Sequence, residues 1–238
     1  MNSVVASITY RAMLGRKRIW LLAALPLALI AIAVLLRLIG GGDENTAVRL
    51  MEKFAIGTIL PLLGLIAGTG VISPEIEDGT IIHLLSKPIP RPSIALTKFA
   101  VAASLIVAFS AVPTFLAAYL LIGTEAGVAA GFAFGALFAG IAYAAVFLLV
   151  GVLTKHAVVV GVIYALVWEG AIGGYVPGAR KLSIQQWGQT LADQVSSSPF
   201  LKADVALSFA APAIVIVTVV AVLWAGQRLR GLSLTGDE

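Results

Sequence analysis

The sequence predicts an all-α, polytopic integral membrane protein with six transmembrane helices in a single domain, residues 1–238. Three observations carry that prediction. Hydrophobic residues make up 60 % of the chain and the mean hydropathy is +1.02. Only 12 % of residues are charged, where soluble domains carry roughly 25 %. The apolar residues fall into six long runs, each long enough, at about 20 residues or more, to cross a hydrocarbon core of about 30 Å. So much apolar surface needs lipid. The chain has no cysteine, which excludes a disulfide framework, a thiol nucleophile and a thiolate metal site. His83 and His156 are too far apart for metal-ligand spacing. The net charge of +4 is scattered over the ends of the runs, a topology signal rather than a nucleic-acid patch.

Residues 1–18 are mildly amphipathic: Val4, Val5, Ile8 and Ala12 share a helix face, followed by Arg11, Arg16, Lys17 and Arg18. They read as an N-terminal interfacial helix leading into the first span. That span, roughly Ile19 to Ile39, contains Pro26, and Arg37 can snorkel from its last turn. It is too long for a cleavable signal and lacks a small-residue cleavage site. A loop from Gly40 to Asn45 leads to a second span, roughly Phe54 to Ile72, with Pro61 and a Gly-rich exit.

Residues 73–98, SPEIEDGTIIHLLSKPIPRPSIALTK, form the longest polar interruption in the first half. Ser73 suits a helix cap and Pro74 the first helical position. Glu75, Glu77 and Asp78 then fall near the positive end of the helix dipole. Pro88, Pro90 and Pro92 are expected to stop the helix and stiffen its exit. A short charged helix between spans 2 and 3 results, a handle for a partner protein.

The third span runs roughly from Ile94 to Ile122 through Pro113, and the fourth roughly from Ala126 to Leu153. In the fourth, Gly127, Gly131 and Gly135 form a GxxxGxxxG array with the small residues on one face. The array suits either a subunit or helix interface, or ordinary intramolecular packing. After a turn at Thr154–His156 the fifth span covers roughly Ala157 to Tyr175. Residues 176–206 read as an extracytoplasmic loop with a short helix at the outer membrane surface. The last span, roughly Leu207 to Gly226, ends in Arg228 and Arg230. With the N-terminus inside, ten of the sixteen Lys and Arg residues lie on the inner side. That bias places both termini and the 73–98 loop in the cytoplasm. Trp20, Trp168, Trp187 and Trp224 fall near span boundaries, as in an interfacial aromatic belt.

The pattern Glu75-x-Glu77-x-Gly79-Thr80, followed by Leu84-Leu85-Ser86-Lys87-Pro88 and Arg91, resembles the first cytoplasmic loop of type-2 export permeases of ABC transporters. Val167-Trp168-Glu169-Gly170, with Arg180 and Leu182-Ser183-Ile184, is a second echo, and the six-span layout extends the resemblance over nearly the whole chain. The resemblance implies a permease subunit of a bacterial-type inner membrane, paired with a second permease subunit as homodimer or heterodimer. It also implies separate ATP-binding subunits, two copies, holding ATP and Mg. Glu75, Glu77, Asp78, Gly79, Thr80, Lys87 and Arg91 would then form the coupling helix and loop on which those subunits act.

The residues themselves leave alternatives. The three acids could be a partner surface or solvated loop charges; a paired-carboxylate catalytic site lacks a pocket, a metal set or a nucleophile. Glu169 is the only acid well inside an apolar run. It either lines a translocation path or makes an interhelical contact, with Arg180 as a candidate partner. There is no G-x-x-x-x-G-K-[ST], H-E-x-x-H or G-x-S-x-G motif, so the chain reads as a non-enzyme that binds no cofactor itself. The leading expectation is a permease subunit of an ATP-driven exporter in contact with membrane lipid and no nucleic acid. An ion-coupled carrier subunit using Glu169, and a non-transport membrane scaffold, are the other two readings.

Overall fold

The computed structural model describes residues 3–79, 90–173, 176 and 178–231, and among these all regular structure is helical. Helix α1 is Ser3–Met13 and α2 is Arg16–Leu38. Helix α3, Glu44–Gly70, is followed by the five-residue α4, Ser73–Glu77. Helix α5 is Arg91–Ile122, α6 Val128–Leu153 and α7 Ala157–Ile172. Helix α8 is Ile184–Val195 and α9 Leu207–Gly231.

Five stretches are long and apolar enough to cross a membrane among the described residues: 19–38, 44–70, 91–122, 125–153 and 207–229. Helix α7, expected as a sixth span, is shorter over its described residues: a seven-residue α segment runs into a nine-residue π segment. At a rise of roughly 1.5 Å per residue such a helix reaches about 24 Å, short of a ~30 Å core. The second span starts ten residues earlier than its hydropathy suggests. Asp43 caps it, accepting from the Thr46 amide at 3.1 Å and the Thr46 hydroxyl at 2.6 Å. That polar first turn, Glu44 to Arg49, is what hydropathy alone leaves out.

Among the four spans with internal prolines, those with Pro61 and Pro113 accommodate the ring in the same way. A proline removes one backbone N–H and presses on the carbonyl four residues back. Pro61 follows a π stretch at Met51–Ile59, and Pro113 follows one at Val107–Ala111. The wider turns make room for the ring.

Helix α6 is the centre of the bundle. In its most apolar window 61 % of the residues are buried, against 22 % for α2 and 17 % for α9, so those two form the periphery. Phe132, Tyr143, Phe147 and Leu148 of α6 are fully buried. The outer helices show Trp20, Leu21, Leu35, Leu38, Ile216, Leu223 and Trp224 on their surfaces. A water-soluble protein does not present so much contiguous apolar surface, and lipid is the solvent that suits it. Arg37 is exposed at the end of α2, and its Nη1 donates to the Leu121 carbonyl at the end of α5. Trp187 leaves the expected belt altogether and is 3 % exposed inside the bundle.

Contacts sort the helix ends into two groups. The α4 end gathers the ends of α3 and α6, where Gly151 faces Thr69, Ile72 and Ser73. It also gathers the start of α5 and the end of α9, where Gly226 faces Pro92. The start of α7 joins them, with Lys155, His156 and Val158 lining one cleft with Glu77. The far end gathers the end of α2 with the end of α5, and the start of α6 with the end of α8, where the Ser197 amide donates to the Ala126 carbonyl at 2.9 Å.

Candidate functional site

At the α4 end the chain leaves α3, makes one turn and forms α4. Ile72 is the cap residue, and Pro74 occupies the first turn, where its missing N–H costs nothing. Ser73 does not cap as expected: it is inside the helix and 4 % exposed. Gly79, not the prolines, ends the helix. Its φ of +68° is the left-handed conformation that closes helices, and its amide donates to the Ile76 carbonyl at 3.3 Å. Thr80, Lys87 and Pro88 lie outside the described residues.

The two acids of α4 and Asp78, which caps it, part company. Glu77 and Asp78 are exposed, and Glu77 borders the cleft that holds Lys155 and His156. Glu75 turns inward to Lys98, a residue of α5 that is 0 % exposed. The Lys98 ammonium donates to Glu75 Oε1 at 2.6 Å and to the Val71 carbonyl at 2.5 Å. Val71 closes α3, where carbonyls have no intrahelical partner. A buried ammonium is costly alone. Here a helix-end carbonyl and a carboxylate satisfy it, so one side chain joins α3, α4 and α5. Arg91 donates from Nη1 to the Leu229 carbonyl in the last turns of α9 at 3.2 Å.

Towards the far end, Glu169 of α7 is 0 % exposed and meets the N-terminus of α8. Its Oε1 accepts from the Tyr164 hydroxyl at 2.8 Å and the Ile184 amide at 3.1 Å. Its Oε2 accepts from the Ser183 hydroxyl at 2.6 Å and the Gln185 amide at 3.2 Å. Ser183 in turn caps α8 by accepting from the Gln186 amide. The carboxylate thus sits on the positive end of a helix and takes two of its unpaired amides. Arg180 is not its partner; that guanidinium pairs with Asp204 at 2.7 Å.

Helix α8 does not lie on the outer surface. Residues Ile184 to Ala192 are all buried, including Gln185, Gln186 and Gln189. The helix runs down α6 with its N-terminus deeper in the bundle. A Cβ on Gly131 would stand 2.7 Å from the Ala192 carbonyl oxygen, and one on Gly135 only 2.3 Å from that of Gly188. Gly127, at φ +66°, would meet the Val195 carbonyl at 3.2 Å. The GxxxGxxxG face is therefore occupied within the chain by α8.

Two sequence signals pointed here. Lys98 is an ionisable residue inside an apolar run, a position that calls for a partner. Ser183 and Gln186 have the S-x-x-Q spacing of a capping box at a helix start. Neither signal names the far partner, Glu75 or Glu169.

Against curated proteins the chain has no significant match. A family model described as ABC-2 family transporter protein matches residues 14–179, from the end of α1 through α7. Permeases of this family generally work with an ATP-binding subunit. The match spans well over half of a multi-pass helical membrane protein, and the chain belongs to the ABC-2 transporter family as the membrane permease of an ABC transporter.

Proposed function

We propose that the chain is the permease subunit of an ATP-driven exporter, and that α4 with Glu77, Asp78, Gly79, Thr80, Lys87 and Arg91 is where a separate ATP-binding subunit acts. The observation that carries the reading is the split among the acids of α4. Glu77 and Asp78 face solvent at one end of the bundle, while Glu75 anchors the same helix to α5. A charged, anchored knob suits a basic docking surface, because complementary charge speeds correct association. In this reading α7 completes a sixth crossing, both termini and α4 are cytoplasmic, and two permease subunits pair above two ATP-binding subunits that hold ATP and Mg. The inner membrane of a bacterial-type cell is the compartment that the reading requires.

An ion-coupled carrier that uses Glu169 is disfavoured by a specific observation. Both carboxylate oxygens are engaged, by two hydroxyls and two helix amides, an arrangement that serves α8 rather than a passing cation. The test is purification of the tagged chain from its host membranes. An ATP-hydrolysing subunit is expected to accompany it, and to dissociate when Glu77 and Asp78 are both changed to Lys. A chain that purifies without any such subunit, or retains it through the double charge reversal, overturns the assignment.

A further inference from the structure

We infer that Lys98 is a positioning residue that carries movement of α4 into α5. The inference rests on the coupling reading above and deepens it, by assigning the inward half of α4 a mechanical role.

The argument begins with the grip. Helix α4 has five residues, with only Ser73 buried and Ile76 partly buried against the core. Its hold on α5 includes the 2.6 Å ion pair between Glu75 and Lys98. The ammonium end is fully buried, while the Glu75 side chain keeps 30 % of its surface. Drawing Glu75 away would strand a positive charge in the bundle with the Val71 carbonyl alone. Stranding a buried charge costs more than shifting a helix slightly, so Lys98 follows Glu75. A lysine exposed to water would let go, because solvent would replace its partner at little cost.

The second part is the lever. Lys98 sits in the second turn of a regular α segment, Arg91–Ile106, which then passes into the π stretch Val107–Ala111 and Pro113. Irregular turns and proline are where helices bend. The segment before that point also carries neighbours with it. Arg91 holds the Leu229 carbonyl of α9, and the Ser104 hydroxyl is 2.5 Å from the Tyr10 hydroxyl of α1. A displacement entering at Lys98 therefore moves the first half of α5 together with the ends of α9 and α1, against a weak point near Pro113.

The experiment uses the tagged chain purified with its ATP-hydrolysing subunit and placed in lipid nanodiscs. Because the chain has no cysteine, nitroxides can be attached at Leu96→Cys, an exposed position in the first half of α5, and at Phe134→Cys, an exposed position on the central helix α6. The distance between them is measured with and without ATP and vanadate. In the otherwise unmodified complex the distance is expected to shift on trapping. In Lys98→Met the subunit is expected to copurify and hydrolyse ATP while the shift is lost. Lys98→Met with Glu75→Gln removes both charges, so the fold keeps no unpaired ion while the tie stays cut; the shift is expected to be lost there too. A full shift in either variant overturns the inference, as does loss of the ATP-hydrolysing subunit from the double variant. Failure of the unmodified chain to bring down any such subunit sinks the coupling reading itself, and is seen before any substitution is made.

Discussion

Replacing Glu169 with glutamine is nearly isosteric, yet the geometry makes it expensive. Each carboxylate oxygen accepts one hydroxyl and one backbone amide. In the glutamine variant one of those oxygens becomes an NH2 group. The hydroxyl of Tyr164 or Ser183 can turn and accept from it. The amide of Ile184 or Gln185 cannot, so one buried N–H loses its partner whichever way the side chain is flipped. An orphaned buried donor costs about 1–3 kcal/mol. Removal of the negative charge from the N-terminus of α8 adds about 0.3–2 kcal/mol. The expected loss is therefore about 1–5 kcal/mol, and Glu169→Ala, which leaves both amides unpaired, should exceed it. The assay is thermal unfolding in detergent together with maleimide labelling of Leu191→Cys, a buried reporter on α8 in a chain with no other cysteine. Both substitutions should lower the melting temperature and expose the reporter, Ala more than Gln. Unchanged melting with an unlabelled reporter in both variants would refute the claim that Glu169 holds α8 in place. Transport in Glu169→Gln should fall less than on loss of α4, since the carboxylate serves the scaffold of the bundle.

The close approach of α6 and α8 predicts that Gly135→Ala destabilises by about 1–3 kcal/mol, the range for overpacking. Gly178→Ala, where an added Cβ meets nothing within 4 Å, serves as the neutral control in the same melting assay. At the other end Glu75→Ala should cost about 1–3 kcal/mol, below the value for a fully buried pair because Glu75 is partly exposed. Asp78→Ala, in solvent, should leave melting unchanged; equal effects from the two would remove the distinction between inward and outward acids. For topology, Asp78→Cys and Ser197→Cys should react with an impermeant maleimide from opposite faces of sealed cells and inverted vesicles. Labelling of both from one face would overturn the sixth crossing assigned to α7.

The sequence alone determined that this chain is helical and lies in a membrane, and nearly where its longest helices run. Those properties are local. Length and hydropathy of a run decide its solvent, and Pro, Gly and capping residues mark its ends. Local reasoning slipped where polarity and burial part ways. Ile184–Val195, rich in Gln and Thr, reads as a surface helix because its composition suits water. Packing buries it because Gly131 and Gly135 let two backbones approach within the space of a missing Cβ. The GxxxG spacing announces a close contact but cannot name the neighbour. The same holds for charge. Glu75 and Lys98 are 23 residues apart, and Glu169 and Gln185 16 apart. Nothing along the chain distinguishes Glu75 from Glu77 two residues on. Only the tertiary structure, by turning one acid toward a buried ammonium and leaving the other exposed, decides which of them ties helices together and which stays at the surface.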